Sequence, residues 1–135
     1  MEIYVVNLRS HCPEGLYHFR PDTCELESLK PGNHLELLRE IIYAEPYISL
    51  PESGLVVITT GVIERMNIKY GERGYRFMLH ESGFVAMTMT LIAERLGLGS
   101  CMVGGYRDDE VNSFLGIDGV FETVQNILIL GKKPP

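Results

Sequence analysis

The run Gly97-Leu98-Gly99-Ser100-Cys101-Met102-Val103-Gly104-Gly105-Tyr106 carries the densest chemical signal in the chain. Two adjacent glycines after an apolar strand leave backbone N–H groups with no Cβ in front of them. A flat ring can lie against such a backbone and accept its hydrogen bonds. A plain turn between a strand and a helix uses the same residues, and spacing alone leaves both readings open.

Other chemistries lack their residues. The chain has no G-x-S-x-G, no H-E-x-x-H and no P-loop. The three cysteines, Cys12, Cys24 and Cys101, show no C-x-x-C spacing and the four histidines are scattered, so neither a disulfide framework nor a zinc site is indicated. A reducing cytoplasm is the default location for such thiols. A net charge of -6 without a basic stripe argues against nucleic acid as a partner.

The glycine run must be held by what surrounds it. Before it lies a segment from Ser82 to Ala93 with no charged side chain, too long for a strand and closed by Gly97. It reads as a central helix, extending from Gly74 to Leu96, that is buried nearly all round. Its small residues Ser82, Ala86, Thr90 and Ala93 share one side where another backbone can approach, and Phe77, Phe84, Met87, Leu91 and Leu96 offer a second contact face. A chain of 135 residues has little protein to wrap around such a helix, so a subunit interface, as in a homodimer, is the economical answer; the central core helix of a monomer fits the helix alone equally well. The run falls short of the ~20 apolar residues that a membrane span needs.

The remaining elements follow from period and punctuation. Ile3-Tyr4-Val5-Val6 is apolar on both faces and suits an interior strand. Its entry at once into apolar residues, without a basic region or cleavage site, is unlike a signal peptide. Residues 15–20 and 24–29 alternate around Arg20-Pro21-Asp22-Thr23, a type I turn, and form a hairpin. Asn33 and Glu36 have capping-box spacing before a helix with Leu35, Leu38, Ile41 and Ile42 inward. An irregular connector over 44–53 should place Tyr47, Ile48 and Leu50 on a hydrophobic edge. Residues 54–60 form a second buried strand and 62–68 a short helix. Asp108 should cap a helix that Gly116 closes, residues 123–130 are a last strand, and 131–135 leave the fold. Together these give one domain over residues 1–135, α+β in class, with helices packed on a mixed sheet.

The order of these features resembles the nitroreductase-like FMN flavoproteins, and within them the branch that includes the azoline dehydrogenases of peptide maturation. The residues that carry the likeness are 70–76 (YGERGYR), 80–83 (HESG), Gly97-Leu98-Gly99, Gly104-Gly105-Tyr106 and Leu115-Gly116-Ile117-Asp118. Upstream matches are Ile3-Tyr4-Val5-Val6, 14–19 (EGLYHF) and 29–32 (LKPG). The resemblance implies a largely antiparallel mixed sheet, a dimerisation helix at the centre, and FMN as cofactor with NADH or NADPH as electron donor.

It also implies roles. Met102 and Val103 would lie against the isoalloxazine face, a Gly104 or Gly105 N–H would meet the flavin N5 and O4 edge, and Lys132 and Lys133 would stand near the phosphate. Relatives carry, before the residue matching Ile3, an Arg-rich stretch that grips the phosphate and a Pro-Ser loop beside the ring. The expectation is that this chain starts after both and receives them from another segment or a second chain. Two functions follow: a dimeric FMN-dependent oxidoreductase of nitroreductase type, or a non-catalytic relative acting as a dimeric scaffold for a full-length flavoenzyme. Flavin binding separates them.

Overall fold

Ile3, Tyr4, Val5 and Val6 form the middle of β1 (Glu2–Asn7), which finds antiparallel neighbours on both edges in β2 (Gly15–Arg20) and β4 (Ser53–Val62). The computed structural model describes residues 1–133. From β2 the chain turns into β3 (Glu25–Pro31), and β4 continues the sheet to β6 (Glu122–Lys132) and β5 (Leu98–Val103). The six strands lie in the order β3-β2-β1-β4-β6-β5. Every pairing is antiparallel, so the sheet is more uniform than the mixed one expected.

One face of the sheet holds the core. Tyr4, Val6, Leu16, Val56, Ile58, Ile127 and Ile129 are buried there beneath α1 (Leu35–Ile41) and α4 (Asp108–Leu115), which contribute Leu38, Ile41, Val111 and Phe114. Each such side chain stabilises the fold by about 1.5–3 kcal/mol when fully buried. Leu50 closes this layer from the connector, but Tyr47 is 94% exposed and does not cover the edge expected of it.

Local signals hold with small corrections. The hairpin turn is present, with Arg20 and Asp22 paired at 2.7 Å, but Cys24 has φ of 56° and belongs to the turn rather than to β3. Asn33 accepts from the Leu35 N–H at 2.9 Å, whereas Glu36 faces Arg39 at 3.6 Å and no reciprocal box forms. Asp108 is the first residue of α4 rather than its cap, which is Arg107. The left-handed glycines Gly97 and Gly116 end α3 and α4 as expected.

The other face carries α3 (Arg73–Arg95), reached through the short α2 (Ile63–Tyr70). Its small residues explain how it sits. Ser82, Ala86 and Ala93 are buried against the chain's own sheet, and Asn126 on β6 donates its side-chain amide to the Ser82 hydroxyl. Met78 packs so closely on Gly61 of β4 that a Cβ there would fall 2.2 Å from its sulfur. The expectation of a helix buried all round therefore holds for one side only. A single chain supplies one sheet, so Phe84 and Leu91 on the outward side remain 73% and 60% exposed. The stripe of small residues belongs to the fold, not to a subunit contact.

Candidate functional site

β5 is an outer strand, paired with β6 alone, and the glycine run ends where it leaves the sheet. Gly104 and Gly105 follow Val103 and are fastened from both directions. The Tyr43 N–H donates to the Gly105 carbonyl at 2.8 Å, and the Arg107 N–H donates to the Ile41 carbonyl at 2.9 Å. Tyr106 bridges Ile42 and donates its hydroxyl to the Gln125 carbonyl at 3.2 Å. Burial, with Asp108 nearby, pushes the Tyr106 phenol up and keeps it a donor. Tyr106 thus anchors the turn.

The turn itself is open. A Cβ added at Gly104 would meet nothing within 4 Å, and one at Gly105 would meet the Tyr43 Cβ at 3.4 Å. Among the described residues, neither the Gly104 nor the Gly105 N–H has a protein acceptor. Two rigidly held donors on an open backbone fit the edge of a flat heterocycle that carries acceptor atoms. Sequence reasoning passed over two neighbours, Tyr43 and Arg107. The Arg107 Nε donates to the Tyr43 hydroxyl at 3.0 Å and its guanidinium lies 3.6 Å from Glu110. The hydrogen bond to Tyr43, with Glu110 beside it, pushes Arg107 further above its ordinary value. An arginine directly after Gly-Gly-Tyr was the available signal.

The other residues expected at the site are dispersed. Met102 is 54% exposed beside the turn, but Val103 is only 7% exposed because its side chain enters the core, so it cannot lie against a ring. Lys132 pairs with Leu98 at the far end of β5. Five residue steps at about 3.4 Å put it roughly 17 Å from Val103. Lys133 is paired with Glu94 at 2.5 Å. Gly131 and Lys132 belong to β6 instead of leaving the fold, and Pro134 and Pro135 lie outside the described residues. Within one chain, then, the lysines and the glycine turn do not meet. Between them the β5 edge borders a cleft of about 410 Å³ lined by Tyr47, Glu52, Cys101 and Lys132.

A second polar cluster lies at the same strand end as the glycine turn, spread across β6, β4, β1 and β2. Glu2 meets His18 at 2.8 Å and pairs with Arg65 of α2, while Glu122 accepts from Tyr4 at 3.1 Å and Thr60 at 2.5 Å. Burial, reinforced by the Glu122 carboxylate, pushes the Tyr4 phenol well up. These groups brace four strands and α2. Among the described residues no group of His, Cys, Asp and Glu could hold a metal ion, and no helix is long and apolar enough to cross a membrane.

Comparison with known proteins matches the chain to a family. The profile described as "Nitroreductase family" matches residues 10–132. The Methanocaldococcus jannaschii protein "Putative nitroreductase MJ1384" is 32% identical over 122 residues, which are 87% of this chain and 59% of that one. The "Microcin B17-processing protein McbC" of Escherichia coli is 29% identical over 105 residues, 77% of this chain and 38% of that one. The chain therefore spans little more than half the length of the first of these relatives and less of the second. Among solved structures, an Anabaena variabilis protein described as a nitroreductase superposes with a TM-score of 0.87 at 28% identity, covering 96% of this chain and 26% of that one. A chain of the E. coli microcin synthetase McbBCD complex superposes at 0.84 with 22% identity, covering 99% and 52%.

Proposed function

The chain belongs to the nitroreductase family, and on that premise we propose that it is the ring-side part of an FMN-dependent oxidoreductase that works as a dimer. The observation that carries the reading is the Gly104–Gly105 turn, whose two free N–H donors and open face are fixed by Tyr43 and Tyr106. When bound, FMN would supply hydride transfer at its N5, and the redox chemistry is the cofactor's own. The protein's part is to orient and polarise. The turn's N–H groups would hold the ring edge, Met102 would flank it, and Arg107 would place a positive charge two residues from Gly105.

The phosphate would lie away from the turn, at the end of the ribityl chain. Lys132 stands at the other end of β5, along the same strand edge, while Lys133 is engaged with Glu94, so among the described residues one chain offers at most a single unpaired lysine there. A second subunit, or an arginine-bearing segment on another chain, would complete the grip, since arginine binds phosphate in bidentate geometry. The outward stripe of α3, Phe77, Phe84, Met87 and Leu91, repeats at seven- and three-to-four-residue steps and would bring two copies together. NADH or NADPH would be the electron donor. The three exposed free thiols fit a cytoplasmic location.

The same dispersal of cations favours one other reading, a dimeric scaffold or partner of a full-length flavoenzyme. The absorbance spectrum of the purified protein after incubation with FMN and desalting separates them. Retained flavin absorption supports the oxidoreductase reading. Its absence from both the chain and the chain combined with an arginine-bearing partner segment supports the scaffold.

A further inference from the structure

Tyr43 is held firmly at the glycine turn and yet faces solvent. Its N–H donates to the Gly105 carbonyl at 2.8 Å, and its hydroxyl accepts from the Arg107 Nε at 3.0 Å. A Cβ at Gly105 would stand 3.4 Å from the Tyr43 Cβ and 3.6 Å from its Cδ2, so the root of the ring lies against the turn. Even so, Tyr43 is 59% exposed. A side chain tethered at both ends has given up its rotamer freedom before any ligand arrives, and a contact with its ring then costs little further ordering.

The turn, the ring and the arginine offer different contacts within a few residues of one another. Gly104 and Gly105 present N–H groups, and Tyr43 presents an aromatic face. Arg107 commits its Nε to Tyr43, while among the described residues its outer N–H groups have no hydrogen bond; the nearest carboxylate, Glu110, is 3.6 Å away. An aromatic face takes a flat conjugated ring in offset or edge contact, and a guanidinium takes an oxygen acceptor.

Charge narrows the class of ligand. Asp108, Asp109 and Glu110 fill the first turn of α4 directly after Arg107. A ligand carboxylate arriving at the guanidinium would meet all of them as like charges, whereas a neutral oxygen is not repelled.

We propose that Tyr43 is the platform on which the substrate's ring stacks beside the flavin, and that Arg107 both holds the phenol in place and donates to an oxygen of the substrate. The substrate is then a flat, uncharged conjugated ring with a carbonyl-type oxygen next to it. This assignment rests on the flavin reading for what occupies the turn, but Tyr43 and Arg107 are in position without it.

The chain contains no tryptophan, so Tyr43→Trp and Tyr47→Trp each introduce a single indole reporter. Para-nitrobenzamide, a flat neutral quencher with a carboxamide oxygen, is the probe, and fluorescence lifetime is the readout. Quenching should saturate in the Tyr43→Trp protein and rise linearly, without saturation, in the Tyr47→Trp protein. Benzamide should reverse the saturable quenching, and cyclohexanecarboxamide, similar in size but not flat, should need at least about tenfold more. Calorimetric titration of the same probe into the parent should show binding that Tyr43→Ala weakens by about two- to tenfold, as loss of a stacked ring does. Tyr43→Phe, which keeps the ring and loses the tether, should fall between the two, and para-nitrobenzoate should bind no more tightly than the amide. Linear quenching in the Tyr43→Trp protein, equal competition by the saturated ring, tighter binding of the benzoate, or unchanged binding in Tyr43→Ala would overturn the proposal. So would a Tyr43→Ala protein that binds the probe normally and changes only its oligomeric state, because the ring would then serve a subunit contact. FMN titrations of the parent keep the two ideas apart. Flavin binding without saturable quenching at position 43 leaves the flavin reading standing and removes the platform; saturable quenching without flavin binding does the reverse.

Discussion

The Tyr43 N–H donates to the Gly105 carbonyl across 2.8 Å, which makes the connector after α1 and the turn after β5 a single unit. The two glycines of that turn consequently differ. A side chain at Gly105 meets Tyr43, and one at Gly104 meets nothing. Gly105→Val should destabilise the protein by about 1–3 kcal/mol, as overpacking does, whereas Gly104→Val should stay within about 0.5 kcal/mol of the parent. Urea unfolding of both variants checks this contrast; equal losses would show that the turn is not fastened through Tyr43.

Met78 and Gly61 should behave as a coupled pair. Gly61→Ala should cost about 1–3 kcal/mol because Met78 is buried and cannot swing away. Adding Met78→Ala should then cost less than it does alone, since the new methyl group fills part of the space vacated. A double-mutant cycle measures the coupling, and strict additivity would contradict the packing described.

Acid should weaken the brace around Glu2. Burial alone would raise its carboxyl, but hydrogen bonds from His18 and Arg65 outweigh burial and hold it below the ordinary value of 4.5. A depressed pKa in the folded state means that the stabilisation is present above the unfolded value and is lost as pH falls through the folded one. Tyr4, Thr60 and Glu122 complete the cluster. Stability measured across the acid range should fall less steeply below pH 4.5 in Glu2→Gln than in the parent; parallel curves would remove Glu2 from the account.

The two sides of α3 should separate folding from association. Ala86→Arg places an unpaired charge between helix and sheet and should cost more than about 3 kcal/mol. Leu91→Arg lies on the exposed stripe and should leave the fold intact while turning a dimer into a monomer. Light scattering with parallel thermal melts reads both, and a dimer that persists in Leu91→Arg would move the interface elsewhere.

Much of this was legible in the sequence because local signals and burial agree. The glycines at 97 and 116, the hairpin at Pro21-Asp22 and the uncharged helix each state a local rule that the fold keeps. What failed depended on tertiary context. The small residues of α3 and its large ones were equally good candidates for a subunit contact, and only the position of the sheet shows that Ser82, Ala86 and Ala93 face inward. Val103 and Met102 alternate along β5, so one had to enter the core, but which one depended on register with β6. Lys132 and Lys133 looked free because nothing local marks the extension of β6 or the partner Glu94. Tyr43 reaches Gly105 across sixty-odd residues, a contact that no short motif encodes.

The most direct test of the flavin reading is a fluorescence titration of FMN with the purified chain and with Gly104→Val, in the presence and absence of an arginine-bearing segment taken from a longer relative. The parent should quench FMN saturably but weakly, tighten when the segment is added, and lose at least about tenfold in affinity in Gly104→Val because the new side chain covers the open N–H groups. Absence of binding under every condition, or tight binding that Gly104→Val leaves unchanged, would contradict the placement of the ring at this turn.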